Sequence, residues 1–183
     1  MDKIKYVALL RGINVGGNNI IKMTELKKLF EEMDFSDVIT FIQTGNVIFY
    51  DIEKDKTKLI KKIENKLFEK LKSNVNIALL TLFEMEEIMN KKPKNFGENN
   101  EKYRYNVIFL IEPLTVNKAI KEFNPREGVD SIHEGKKVLY FMILIEKRTK
   151  SRISKIVESK IYPKLTIRNW NTTEKLYELM KNK

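Results

Sequence analysis

The sequence predicts an α+β protein made of two tandem β-α-β-β-α-β subdomains, with an extra connecting helix and a C-terminal helix. Three observations carry this. Short apolar or alternating runs of strand length recur between stretches with helical periodicity. The same order of elements occurs in both halves. Between the halves, residues 90–102 are polar apart from Phe96 and hold one proline and one glycine, the composition of a linker. The expected division is 1–80 for the first subdomain, 81–102 for the connecting helix and linker, and 103–183 for the second subdomain with its terminal helix.

Residues 4–11 form an apolar run stopped by Gly12 and read as a buried strand. Leu26, Leu29, Phe30 and Met33 recur at helical spacing, with Thr24 as the N-cap candidate. Residues 38–43 and 46–50 are β-rich and separated by Thr44-Gly45, a tight hairpin. Leu59, Ile60, Ile63, Leu67 and Leu71 mark a second amphipathic helix, and residues 75–80 a fourth strand. Thr81 and Glu84 have the spacing of a capping box, which opens the connecting helix.

The order then repeats. Tyr103, Tyr105, Val107, Phe109 and Ile111 alternate as a strand, and Val116, Ala119, Ile120 and Phe123 fit a helix. Strands are expected at 129–133 and 137–145, a helix around Ile153, Ile156 and Val157, a strand at 164–168 and a last helix over 173–181. The run from Val138 to Ile145 is apolar at consecutive positions, which places that strand inside a sheet. This is the split βαβ, or ferredoxin-like, order, met twice.

Composition narrows the chemistry. The 183 residues contain no cysteine and one histidine, so within one chain there is no thiolate nucleophile, no Ser-His pairing beyond His133 and no multi-histidine metal cluster. Flanked by Ile132 and Glu134-Gly135, His133 reads as an exposed turn residue. Asp51, Glu53 and Asp55 alternate as in a calcium loop, but Lys56 and Lys62 stand where that loop needs glycine and glutamate. No metal or cofactor is called for. No run approaches the roughly 20 apolar residues of a membrane span, and Met1–Lys5 leads into a strand without a signal-peptide core, so a cytoplasmic protein with no membrane partner is expected.

The net charge of +10 invites a nucleic-acid reading. Against it, the 35 basic residues divide into 29 lysines and 6 arginines, and arginine is the better reader of phosphate and base edges. The RNA-recognition signature of this topology is also absent from Asn46–Tyr50.

The most unusual segment is Arg11-Gly12-Ile13-Asn14-Val15-Gly16-Gly17-Asn18-Asn19. Its glycines and asparagines permit positive φ and expose backbone N–H groups, which is how a chain cradles an anion. It matches neither the dinucleotide fingerprint nor the P-loop, and a tight β-to-α connection would use the same residues. In the split topology the first and third strands are antiparallel neighbours, bringing Arg11 close to Gly45 and Asn46. A second cluster, Arg168-Asn169-Trp170-Asn171, holds the one tryptophan, where a ring can stack on a flat ligand or pack between subdomains. There Asn171 and Glu174 make an N-cap pair.

With Met23-x-Glu25-Leu26, the string Leu10–Asn18, Gln43–Phe49 and Arg168–Thr172 resemble the bacterial domain-of-unknown-function 1697 family. The resemblance implies a pair of ferredoxin-like subdomains and implies no established activity, substrate or cofactor. Two positions depart from its pattern: Thr44 stands where serine is usual, and Asp34 where glycine ends the first helix, so a left-handed cap there is strained or replaced.

The expectation is a small anionic or nucleotide-like ligand held by Arg11, Gly12, Asn14, Gly16, Gly17 and Asn18 with Asn46, joined by Arg168, Asn169 and Trp170. No reaction and no catalytic residue is assigned. The rival readings are a nucleic-acid module using the basic surface and an interaction protein, a homodimer joined through a sheet edge.

Overall fold

In a computed structural model, which describes residues 2–182, the chain is mixed α+β with two four-stranded antiparallel sheets. It divides into two compact units, Met1–Met85 with Leu176–Lys183, and Glu86–Lys175.

The first unit runs β1 (Ile4–Leu10), α1 (Met23–Glu31), β2 (Ser36–Phe41), β3 (Asn46–Asp51), α2 (Lys56–Leu71) and β4 (Ile77–Thr81), in sheet order β2-β3-β1-β4. Alternation explains one face of β1: Tyr6, Ala8 and Leu10 join Val47 and Phe49 of β3 in a core. The helical spacing then supplies the cover, as α1 buries Leu26, Leu29 and Phe30 and α2 buries Leu59, Ile63 and Leu67. Each such side chain contributes about 1.5–3 kcal/mol on leaving water. Asp55 caps α2 by accepting from the Thr57 N–H at 2.9 Å, and Lys72, with φ 55°, closes it by donating its N–H to Phe68 O at 2.8 Å.

The next helix, α3 (Leu82–Asn90), starts on the capping box that its sequence announces. Thr81 N–H donates to the Glu84 carboxylate at 2.9 Å, and Glu84 N–H donates to Thr81 Oγ1 at 3.2 Å. Glu84 also receives Lys56 Nζ at 2.8 Å, which ties the start of α2 to the start of α3.

The second unit carries β5 (Tyr103–Leu110), the short α4 (Val116–Ala119), β6 (Asp130–Glu134), β7 (Val138–Leu144), β8 (Leu165–Asn169) and the first half of α5 (Trp170–Lys181), in sheet order β6-β7-β5-β8. The apolar run of β7 lies inside the sheet, as expected. Ile108, Leu139, Phe141, Ile143 and Leu165 form the core on one sheet face. After Asn90, which ends α3, residues 91–102 make successive turns, and Phe96 among them is buried, its ring meeting Tyr105, Tyr140 and Trp170 edge-on at 4.9, 5.3 and 5.2 Å.

Local expectations fail in five places. Helix α1 begins at Met23 with Lys22 in the cap position and no side-chain cap, so Thr24 lies inside it. The hairpin between β2 and β3 takes four residues, 42–45, with Ile42 at φ 47°. Around Ile153 there is a 3-10 turn, Ile153–Glu158, not an α-helix. Ser151 Oγ accepts from Ile153 N–H at 3.2 Å and Ser159 Oγ from Ile161 N–H at 3.3 Å, local bonds that compete with a helical ladder. Helix α5 starts at Trp170, capped by Asn169 Oδ1, which accepts from Thr172 N–H at 2.7 Å; the cap is two residues before Asn171. His133 is exposed but sits in the edge strand β6, not in a turn. Asp34 itself adopts φ 64°, taking the left-handed position at an expected cost of about 1–2 kcal/mol over glycine.

Candidate functional site

Strand β1 ends where the glycine- and asparagine-rich loop begins, and the neighbouring strand fixes that end. Leu9 stands opposite Asn46, Leu10 N–H donates to Gly45 O at 2.8 Å, and Arg11 N–H donates to Asn76 O at 2.9 Å. The proximity of the Arg11 segment to Gly45 and Asn46 thus follows from β1–β3 register.

Within the loop, Gly12, Asn14, Gly16, Gly17 and Asn19 all have φ between 49° and 77°. Gly16 and Gly17 are the two central residues of a tight turn that brings Val15 and Asn18 into a β-bridge, and two successive positive φ values are what a type I′ turn demands. Asn14 fastens this projection to the body. Its Nδ2 donates to Ile21 O and to Gln43 O, each at 2.9 Å, and its Oδ1 accepts from Ile21 N–H at 2.8 Å. Asn19 Nδ2 donates to Gly12 O at 3.2 Å. The loop amides therefore divide into two groups. Those of Arg11, Asn14 and Asn18 bond to protein carbonyls, while those of Gly12, Gly16 and Gly17 meet no acceptor among the described residues. Gly16, Gly17 and Asn18 are exposed.

The remaining expected site residues do structural work through their side chains. Asn46 is fully buried, and its Nδ2 donates to Phe41 O at 3.0 Å and Thr44 Oγ1 at 3.1 Å, which holds the hairpin turn. In the second unit the Arg168 guanidinium is buried, donating to Thr166 Oγ1 at 2.8 Å and Ile167 O at 2.9 Å, and burial pushes its pKa down to about 10. It stays charged at neutral pH. Asn169 caps α5, as described. Trp170 is 2% exposed, stacked edge-on against Phe96 with Gly97 beneath its indole. The first group belongs to the first unit and Arg168–Trp170 to the second. Sequence reasoning missed Gln43 and Ile21, whose backbone groups anchor Asn14; a carbonyl's role leaves no trace in residue type.

Among the described residues no cluster of three or more His, Cys, Asp or Glu could hold a metal ion, and no helix is long and apolar enough to cross a membrane.

What these features define is a two-unit α+β protein with a β-to-α loop fastened to its body by Asn14. Residues 4–140 match the model of a family described as "Protein of unknown function (DUF1697)", and the chain belongs to that family. No curated protein matches it. A solved structure, the conserved bacterial protein SP0830 from Streptococcus pneumoniae, is similar throughout, with a TM-score of 0.87, 25% identity, and coverage of 98% of this chain and 100% of that one.

Proposed function

We propose that this protein binds a small anionic or nucleotide-like ligand at the loop Arg11–Asn18. The observation that carries the reading is the set of N–H groups at Gly12, Gly16 and Gly17 that meet no protein acceptor, on a backbone that three asparagine bonds hold in place. Backbone N–H groups left without a protein acceptor attract negative charge, and Arg11 adds a basic side chain at the start of the loop. In this reading Asn14, Asn46, Arg168, Asn169 and Trp170 set the framework and do not touch the ligand.

We further propose that each unit is built on a ferredoxin-like βαββαβ subdomain, with 1–80 and 103–183 as the two stretches of sequence and 81–102 joining them, although the compact units divide at Met85 and count Leu176–Lys183 with the first. The sheet orders β2-β3-β1-β4 and β6-β7-β5-β8 support this, since both put the first and third strands at the centre. In the second, 3-10 turns stand in place of the second helix.

The test is a ¹H–¹⁵N titration of the full chain with inorganic phosphate and with adenosine monophosphate. Saturable movement of the Gly12, Gly16 and Gly17 amides with a dissociation constant of about 1 mM or tighter supports the reading. Static signals at those three glycines with both probes would overturn it.

A further inference from the structure

We propose that the second unit carries a separate binding site for a small organic phosphate, with the phosphate held by Arg104 and Arg148. Arg104 and Arg148 both line a cavity of about 490 Å³, a volume within the range of small-ligand clefts. Thr149, Ser151 and Ser154 line the same cavity with Ile143, Ile145 and Ile153, so hydroxyl-bearing and apolar residues share its wall. No carboxylate lines it.

Composition makes the pair of arginines informative. Two basic residues drawn from 29 lysines and 6 arginines are seldom both arginine, so the lysine-rich background does not account for the pair. Arginine is the residue whose planar fork grips phosphate oxygens two at a time. Neither guanidinium forms an ion pair among the described residues. Two cations facing one cavity repel, and an anion between them converts that repulsion into attraction.

The wall of the cavity is fixed from behind. Asp130 is 8% exposed, and its carboxylate accepts from the backbone N–H groups of Arg126 and Arg152, the latter at 2.8 Å, which pins the segment carrying Arg148 to Ser154 onto the start of β6. Arg104 comes from β5, opposite Ile143 of β7, so the two cations stand on independently anchored elements. Ser151 Oγ already accepts from Ile153 N–H, which leaves its hydroxyl proton to donate. Cations, donors and apolar surface together describe a phosphate head on a compact organic body. A long polyanion has no use for an apolar pocket, whereas Ile143, Ile145 and Ile153 line this one. The site stands whether or not the Arg11–Asn18 loop binds anything.

The experiment follows backbone amides of residues 104 and 148–154 in the full chain while adenosine monophosphate, pyrophosphate or adenosine is added, for the wild type and for Arg104→Gln, Arg148→Gln and the double variant. Both arginines are exposed, so the variants are expected to fold, with far-UV circular dichroism as the check. The expected result is saturable movement with adenosine monophosphate, little with adenosine, affinity about tenfold weaker in each single variant and no saturation in the double. Unchanged affinity in the double variant, no movement with either phosphate compound, or binding only to a long oligonucleotide with a steep salt dependence would each overturn the proposal. Signals of the Gly12–Gly17 segment, read in the same spectra, report on the other site separately.

Discussion

Gly45 lies so close to Ile13 that a β-carbon on the glycine would stand 2.9 Å from both Cβ and Cγ1 of the isoleucine, and 2.9 Å from Leu10 Cβ. Its φ of +74° disfavours a side chain as well. The hairpin turn and the β1 loop are thus packed backbone to side chain. Gly45→Ala combines both penalties and is expected to cost about 2–4 kcal/mol. Gly17→Ala, with φ +77° but open space around it, carries only the conformational part, about 1–2 kcal/mol. Urea denaturation of the two variants checks this, and equal losses would refute the packing account.

Asn14 is the bolt of the candidate loop, and its chemistry is directional. Asn14→Ala removes three hydrogen bonds and is expected to destabilise by about 2–3 kcal/mol. Asn14→Asp turns the donating nitrogen into an oxygen facing the carbonyls of Ile21 and Gln43, so it should be worse than alanine at neutral pH and recover when the carboxyl is protonated. Hydrogen exchange at the Ile21 amide, which donates to Asn14 Oδ1, is the local readout.

In the second unit, Gly97→Ala places a methyl 2.2 Å from Trp170 Nε1 and 2.5 Å from its Cδ1. Neither the rigid indole nor the backbone can yield cheaply, and a loss of about 3 kcal/mol or more is expected. The indole N–H proton resonance should shift while signals of the first unit's α2 stay in place. A variant with wild-type stability would show that the segment around Phe96 is not packed as described.

Stability should also fall in alkali. Burial raises Tyr140 to about 12, and its hydroxyl donates to Ile88 O at 2.7 Å. Unfolded tyrosine loses its proton near pH 10. Between about 10 and 12 the folded state holds the proton that the unfolded state has released, so stability is intact below about pH 10 and declines through that window. Tyr140→Phe should flatten the decline, at a cost of about 1 kcal/mol at neutral pH for leaving Ile88 O without its donor. Tyr6, raised mainly by burial and then by Asp51, keeps a residual slope. Urea midpoints measured across this range decide the matter.

Much of the architecture is legible because its signals are local. The Thr81–Glu84 box forms from residues three apart, and the α1 and α2 stripes need only a few turns to declare themselves. The Ile153–Val157 pattern misleads because i, i+3 spacing over so short a stretch suits a 3-10 turn equally, and two serines tip the balance. At the candidate site the loop is conspicuous from its glycines, but the division of labour inside it is not. That Asn14 spends its side chain on Ile21 and Gln43, or that Trp170 is covered by Phe96 and Gly97 some seventy positions earlier, depends on tertiary contact and on no motif. The Arg104–Arg148 cavity has one local trace, the alternation of basic and hydroxyl residues from Arg148 to Ser154, but Arg104 joins it only through the pairing of β5 with β7.

The buried indole has a practical corollary. Since Trp170 is the one tryptophan and its ring partners Phe96 and Gly97 belong to the second unit, intrinsic fluorescence is a built-in dye for that unit alone. Its emission should redden on melting of Glu86–Lys175, and comparison with the amide hydrogen exchange of α2 would time one half of the chain against the other without any fluorescent label being attached.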